Sequence, residues 1–187
     1  MQAEALQGGF AEPALQAAHA FRAIMEAMAR PGRIFEVKGA APPSPMSEAA
    51  AVTLLTLCDP DTPLFLAGAL DTPDIRAWIA FHTGAPCTGP SHAMFALGDW
   101  QALQPISNYQ IGTAKYPDRS ATLIVETPEL SPEGATLQGP GIAASLQISL
   151  PETEGFKDNA ALYPRGLDFI FTSGNRLAAL PRTTQVS

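Results

Sequence analysis

Two arginines stand directly behind prolines near the end of the chain, in "YPRG" (163–166) and "LPRTT" (180–184). Proline fixes the backbone just ahead of each guanidinium, so Arg165 and Arg182 leave stiffened chain. They flank "GLDFIFTSGNRLAAL", the pattern of two strands joined by a tight turn, which puts both near one end of a sheet. With Thr183 and Thr184 beside them, planar forks and hydroxyls at that end suit a phosphate or a carboxylate. The alternative is internal pairing with an acid such as Asp118 or Asp168. A second group, "GTAKYPDRSAT" (112–122), gathers Thr113, Lys115, Arg119 and further hydroxyls around a glycine. That mixture offers backbone donors, hydroxyls and a bidentate fork to an anion. It fits an ordinary surface loop pinned by Tyr116-Pro117 equally well. His82 and Thr83 close a helical pattern. Periodicity favours a helix-end role for His82, where an imidazolium meets the dipole, over a polar group at a cleft mouth.

Other chemistry is missing. There is no GxxxxGK[ST] loop, no HExxH, no GxSxG elbow and no cysteine pair at zinc spacing. Three widely spaced histidines would leave a metal site dependent on carboxylates, so no metal is expected. "GPGIAA" (139–144) matches the form of a dinucleotide fingerprint, which needs a strand before it and a helix after it. Here "SLQISL" follows, and a proline separates the glycines, so the segment reads as a bend between two strands.

The elements that must position these groups change character along the chain. "EPALQAAHAFRAIMEAMARPG" (12–32) reads as a helix, with Pro13 in its first turn and Pro31-Gly32 as its stop. Ala14, Ala17, Ala18, Phe21, Ile24, Met25 and Met28 are its expected buried stripe. His19, Arg22 and Glu26 form a polar face, with Glu26 and Arg30 in the favourable i, i+4 order. "RIFEV" is a short strand. Ser47 caps a helix in "SEAAAVTLLTLC" that is apolar nearly all round and so expected buried. "PLFLAG" is a strand. "DTPDIRAWIAFHTGAP" is a helix capped by Asp71 or Thr72, with Ile75, Trp78, Ile79 and His82 on one face and Gly84 as its break. Beyond it come short strand-forming runs, "AMFALG", "SATLIVE", "ATLQG" and "ASLQISL", then a weaker helix in "ETEGFKDNAALYP" and the terminal hairpin. Helices interleaved with strands, followed by hairpins, indicate a mixed α/β layer fold.

The composition sets outer limits. The chain has 187 residues, 11 basic against 18 acidic, for a net charge of −7. That length suits one domain over 1–187 with a substantial core. Nucleic acid is not expected as a partner, because no basic stripe is present to displace counterions. Nor is a membrane, since the longest apolar runs fall short of a bilayer span and the N-terminus lacks a leader pattern. Cys58 and Cys87 are too few for a disulfide framework. Both are expected to be buried thiols in a reducing cytoplasm.

Taken in order, "FRAIMEAMARPGRI", "TLLTLCDPDTPLFL", "FHTGAP", "GTAKYPDRSATLI", "LQGPGI", "YPRGLDFIF" and "LAALPRTTQV" resemble the PhnH family of the bacterial carbon–phosphorus lyase system, from Phe21 to Val186. The resemblance implies a three-layer α/β/α mixed sheet like the large domain of pyridoxal-phosphate-dependent transferases, without the cofactor. None of the three lysines (Lys38, Lys115, Lys157) stands in a Schiff-base context. It also implies a cytoplasmic homodimer that joins the sister subunits G, I and J. That assembly moves alkylphosphonate onto C1 of ATP ribose with loss of adenine, and a radical step in the J protein later cleaves the C–P bond. A PhnH-type chain is implied to complete the complex without being its reaction centre. The alternative is an independent anion-binding protein or enzyme for phosphonate or nucleotide phosphate, using His82, Thr83, Thr113, Arg119, Arg182 and Thr183.

Overall fold

A computed structural model describes residues 6–187; the expectation of no leader falls partly on residues 1–5, outside the described residues. Six strands form the main sheet, in the order β1 (Phe35–Glu36), β8 (Arg176–Leu180), β7 (Asp168–Ser173), β4 (Thr122–Glu126), β3 (Phe95–Asp99) and β2 (Leu64–Leu66). Strands β2, β3, β4 and β7 run parallel; β8 returns antiparallel beside β7, and β1 pairs antiparallel with β8 and so runs in the direction of the parallel four. The central strands are buried on both faces, as parallel strands require, and "LIV", "FIF" and "LAAL" are correspondingly continuous apolar runs.

One face carries three helices, α1 (Pro13–Ala29), α2 (Glu48–Leu57) and α3 (Pro73–His82). Ile24, Leu54, Trp78 and Ile79 from these helices pack with Leu64, Leu97, Ile124 and Ile170. The caps follow the sequence: Ser47 Oγ accepts the Ala50 N–H (3.1 Å), and Thr72 Oγ1 accepts the Ile75 N–H (3.2 Å). Ala49 to Leu54 are all buried, so α2 is the enclosed helix its composition requires. Gly84 ends α3 with φ of +71°, a conformation that a Cβ disfavours.

The other face differs from a purely helical layer. It carries one helix, α4 (Glu154–Ala161), beside a three-stranded antiparallel sheet ordered β6 (Leu146–Ile148), β5 (Ala135–Gln138) and β9 (Gln185–Val186). The strand-forming runs of 135–148 pair with each other and with the chain end, so sheet occupies ground a helix would otherwise cover. Phe156 of α4 meets Phe169 edge-on at 4.9 Å and Phe171 at 5.7 Å, and Leu137, Ile148 and Val186 complete that core. Gly139 and Gly141 bend the chain between β5 and β6 with φ of +135° and +83°. This is the strand connection expected of "GPGIAA".

Two burial expectations fail. Ala14, Ala18, Phe21 and Met25 are exposed, whereas α1 buries Ala20, Ile24 and Ala27 against α2 and β8. An alanine-rich helix is apolar on several sides, so period alone does not select the buried one. Cys87 is also exposed, unlike Cys58. It follows α3 and bridges to Leu64 on β2, the outermost strand, where one side of the chain faces solvent.

Candidate functional site

The amino ends of β4 and β7 and the carboxyl end of β8 meet at one end of the main sheet's strands, because Thr122 pairs with Asp168 and Phe169 with Leu180. Arg182, two residues beyond β8, turns back into this junction. Its backbone N–H and its Nε–H both donate to Asp168 Oδ1 (2.9 and 3.1 Å). One terminal nitrogen donates to the Pro117 carbonyl (2.6 Å), and the other to Asp168 Oδ2 and Ser120 Oγ. The two side chains are only 12% and 16% exposed. Of the two alternatives for Arg182, the geometry is that of internal pairing, with Asp168 as the acid. The guanidinium fastens the loop at 117–120 to the sheet.

That loop presents other cations. Thr113 and Tyr116 close a turn on each other, through Tyr116 N–H to Thr113 Oγ1 (3.0 Å) and Thr113 N–H to the Tyr116 carbonyl (3.1 Å). The Arg119 guanidinium lies 4.3 Å from the centre of the Tyr116 ring, and Lys115 Nζ lies 5.2 Å from it. Ser120 bridges to Ile111, whose carbonyl accepts the Gly166 N–H (3.0 Å). Arg119 and Arg165 are therefore each one residue from a bonding partner of Ile111, and both are exposed. Among the described residues no ion pair involves either.

The remaining predicted residues have separate places. Thr183 is half-buried beside the bend at Gly139, while Thr184 is buried with its Oγ1 unpartnered among the described residues. His82 and Thr83 lie at the end of α3, toward β2. Thr83 Oγ1 donates to the Ile79 carbonyl (2.8 Å) and accepts the Ala85 N–H (3.0 Å), so it serves the helix end. The His82 ring packs between Trp78 and Phe81, at 4.7 and 4.9 Å, and a Cβ on Gly9 would fall 2.5 Å from its ring. The N-terminal segment thus covers His82. The structure brings Thr113, Arg119, Arg165 and Arg182 to one end and leaves His82 outside that group.

A second place escaped sequence reasoning. Ligands of open parallel sheets gather beyond the carboxyl ends of the strands. There a cleft of about 360 Å³ is lined by residues including Ser47, Leu70, Asp99, Glu126, Thr127 and Ser173. Glu126 ends β4 and reaches the N-terminus of α2. Its Oε1 accepts the Ser47 N–H (2.7 Å) and its Oε2 the Thr172 hydroxyl (3.0 Å). Burial raises its pKa, and those hydrogen bonds offset the rise only in part. A carboxyl so perturbed in a cleft is a functional-site candidate. The available signal was a glutamate closing an apolar run, "TLIVE", but only the parallel neighbours reveal its position.

The arrangement offers exposed guanidinium groups to an anion at the Arg119–Arg165 end and a largely buried, hydrogen-bonded carboxyl, Glu126, in the cleft at the other end. Lys38, Lys115 and Lys157 are all exposed, and Lys157 pairs with Glu154 at 2.7 Å. Among the described residues no three histidine, cysteine, aspartate or glutamate side chains cluster as metal ligands. No helix among them is long and apolar enough to cross a membrane.

Comparison with known proteins decides the family. Residues 8–187 match "Bacterial phosphonate metabolism protein (PhnH)". The chain belongs to the PhnH family. It is 39% identical over 196 positions to "Alpha-D-ribose 1-methylphosphonate 5-triphosphate synthase subunit PhnH" of Rhizobium meliloti (strain 1021), covering 99% of this chain and 97% of that one. It is 30% identical over 176 positions to "Putative C-P lyase subunit protein HtxG" of Stutzerimonas stutzeri, covering 90% and 84%. The PhnH match takes in the Arg182 junction and the cation-bearing loop, so the resemblance carried by the seven ordered segments holds.

Proposed function

We propose that this chain is a subunit of the carbon–phosphorus lyase assembly, which places alkylphosphonate on C1 of ATP ribose with loss of adenine. The observation that carries this reading is the near full-length likeness to a relative named as a subunit of the ribose 1-methylphosphonate 5-triphosphate synthase. In this reading the chain acts in the cytoplasm as a homodimer and joins the sister subunits G, I and J. Its sheet is the cofactor-free counterpart of a pyridoxal-phosphate transferase domain, and it completes the complex without supplying the reaction centre. The exposure of all three lysines supports the cofactor-free part, because a Schiff-base lysine is held desolvated or beside another cation. Co-expression with G, I and J tests the reading by co-elution at fixed stoichiometry. Elution of this chain apart from the other three would overturn it.

One observation favours a second reading, in which the chain itself takes a phosphonate or nucleotide phosphate. Arg119 is exposed over the Tyr116 ring, and Arg165 is exposed as well, on a chain with a net charge of −7. Calorimetric titration with ATP and with methylphosphonate distinguishes the two. Uptake abolished by Arg119→Ala plus Arg165→Ala supports this reading, and no heat at millimolar ligand removes it.

A further inference from the structure

The outward side of α1 is apolar where a surface helix is ordinarily polar. Leu15, Phe21 and Met25 are 52%, 48% and 54% exposed, in a row with Ala18 and Ala29 at three- and four-residue spacing. The opposite side of the helix is already engaged through Ala20, Ile24 and Ala27. A groove of about 400 Å³ runs along the free side, lined by Ala18, Phe21, Arg22, Met25, Glu26 and Ala29. Contiguous exposed apolar surface of this kind marks an interaction site.

The residues along the groove specify the occupant. Phe21 and Met25 are four apart, and so are Arg22 and Glu26. An antiparallel pairing of α1 with its own copy, about a two-fold axis that crosses the exposed stripe midway between Phe21 and Met25 along the helix, sets Phe21 against the second copy's Met25 and Arg22 against its Glu26. Each contact then occurs twice, as an isologous interface demands. Phenylalanine against methionine is a favourable sulfur–aromatic contact, and Ala18 leaves room for close approach. Arg22 has no ion-pair partner among the described residues, and Glu26 is held only by the exposed Arg30 at 3.2 Å. Both charges are thus available across the axis. We infer that the α1 stripe is the surface through which two copies of this chain pair. This rests on, and deepens, the homodimer in the proposed reading. A stable pair buries about 800 Å² on each partner, so the contact draws in ground beside the helix as well.

The test is light scattering on size-separated full-length chain over a concentration series. The wild type should be a dimer. Met25→Glu should raise the dimer dissociation constant at least tenfold, with the circular dichroism spectrum and melting temperature of the dissociated chain showing that it is folded. Arg22→Glu alone should weaken pairing, and adding Glu26→Arg should restore it, because the swapped pair is again complementary about the axis. Undiminished dimer in Met25→Glu would overturn the assignment of the surface while leaving the homodimer intact. A wild type that stays monomeric at every concentration would overturn both. A monomer that co-elutes with G, I and J only while the stripe is intact would give the surface to a sister subunit and overturn pairing with a second copy.

Discussion

The arginine nearest the chain end illustrates how burial sets the worth of a charge. Arg76 and Asp71 form a two-bond pair at the surface, 47% and 36% exposed, and pairs so placed contribute at most about 1 kcal/mol. Arg182 and Asp168 make a similar pair at 12% and 16% exposure, where removing one partner strands the other charge. Arg182→Ala should therefore cost about 3 kcal/mol of unfolding free energy, read by urea denaturation. Arg182→Lys should recover only part, because the planar fork is lost. A loss below about 0.5 kcal/mol for both would show that the junction does not depend on the pair. Glu126 gives a pH signature. Burial raises its folded pKa above the ordinary value, so the folded state holds that proton more tightly than the unfolded chain. Its contribution is fully present below about pH 4, the ordinary glutamate range, and declines as pH rises through the raised value. Glu126→Gln removes the decline, so its stability should gain on wild type as pH climbs. A difference that stays flat with pH would contradict the burial of this carboxyl.

At the scale of elements, local chemistry makes much of the chain legible in its sequence. Pro13, Ser47, Thr72 and Gly84 mark helix ends by side-chain or backbone constraints that act within a few residues, and all four serve as expected. Ser47→Ala should cost about 1 kcal/mol of thermal or denaturant stability by leaving the Ala50 N–H without its cap, and an unchanged melt would mean α2 is held by burial alone. Long-range pairing is the part that local chemistry does not supply. The role of Arg182 depends on segments 14 and more than 60 residues away meeting at one junction, and Glu126 becomes notable only because β3, β4 and β7 run parallel. The buried side of α1 is not legible because alanine serves an inner and an outer face equally well. The exposure of Cys87 is not legible because edge position is a property of the sheet.

At the scale of the whole molecule, the features divide between two ends and one flank. The amino end of the parallel strands carries a locked arginine and exposed cations. The carboxyl end holds a cleft with a buried carboxyl, Glu126, and α1 offers an apolar flank. Among the described residues the Arg182–Asp168 pair serves the fold, while Arg119, Arg165 and the apolar stripe of α1 face outward. The most direct test is to express this chain with G, I and J and measure the composition and mass of what elutes together. A single species containing all four chains at fixed stoichiometry is the expected result. Recovery of G, I and J as a complex that forms equally well without this chain, while the chain elutes by itself, would contradict it.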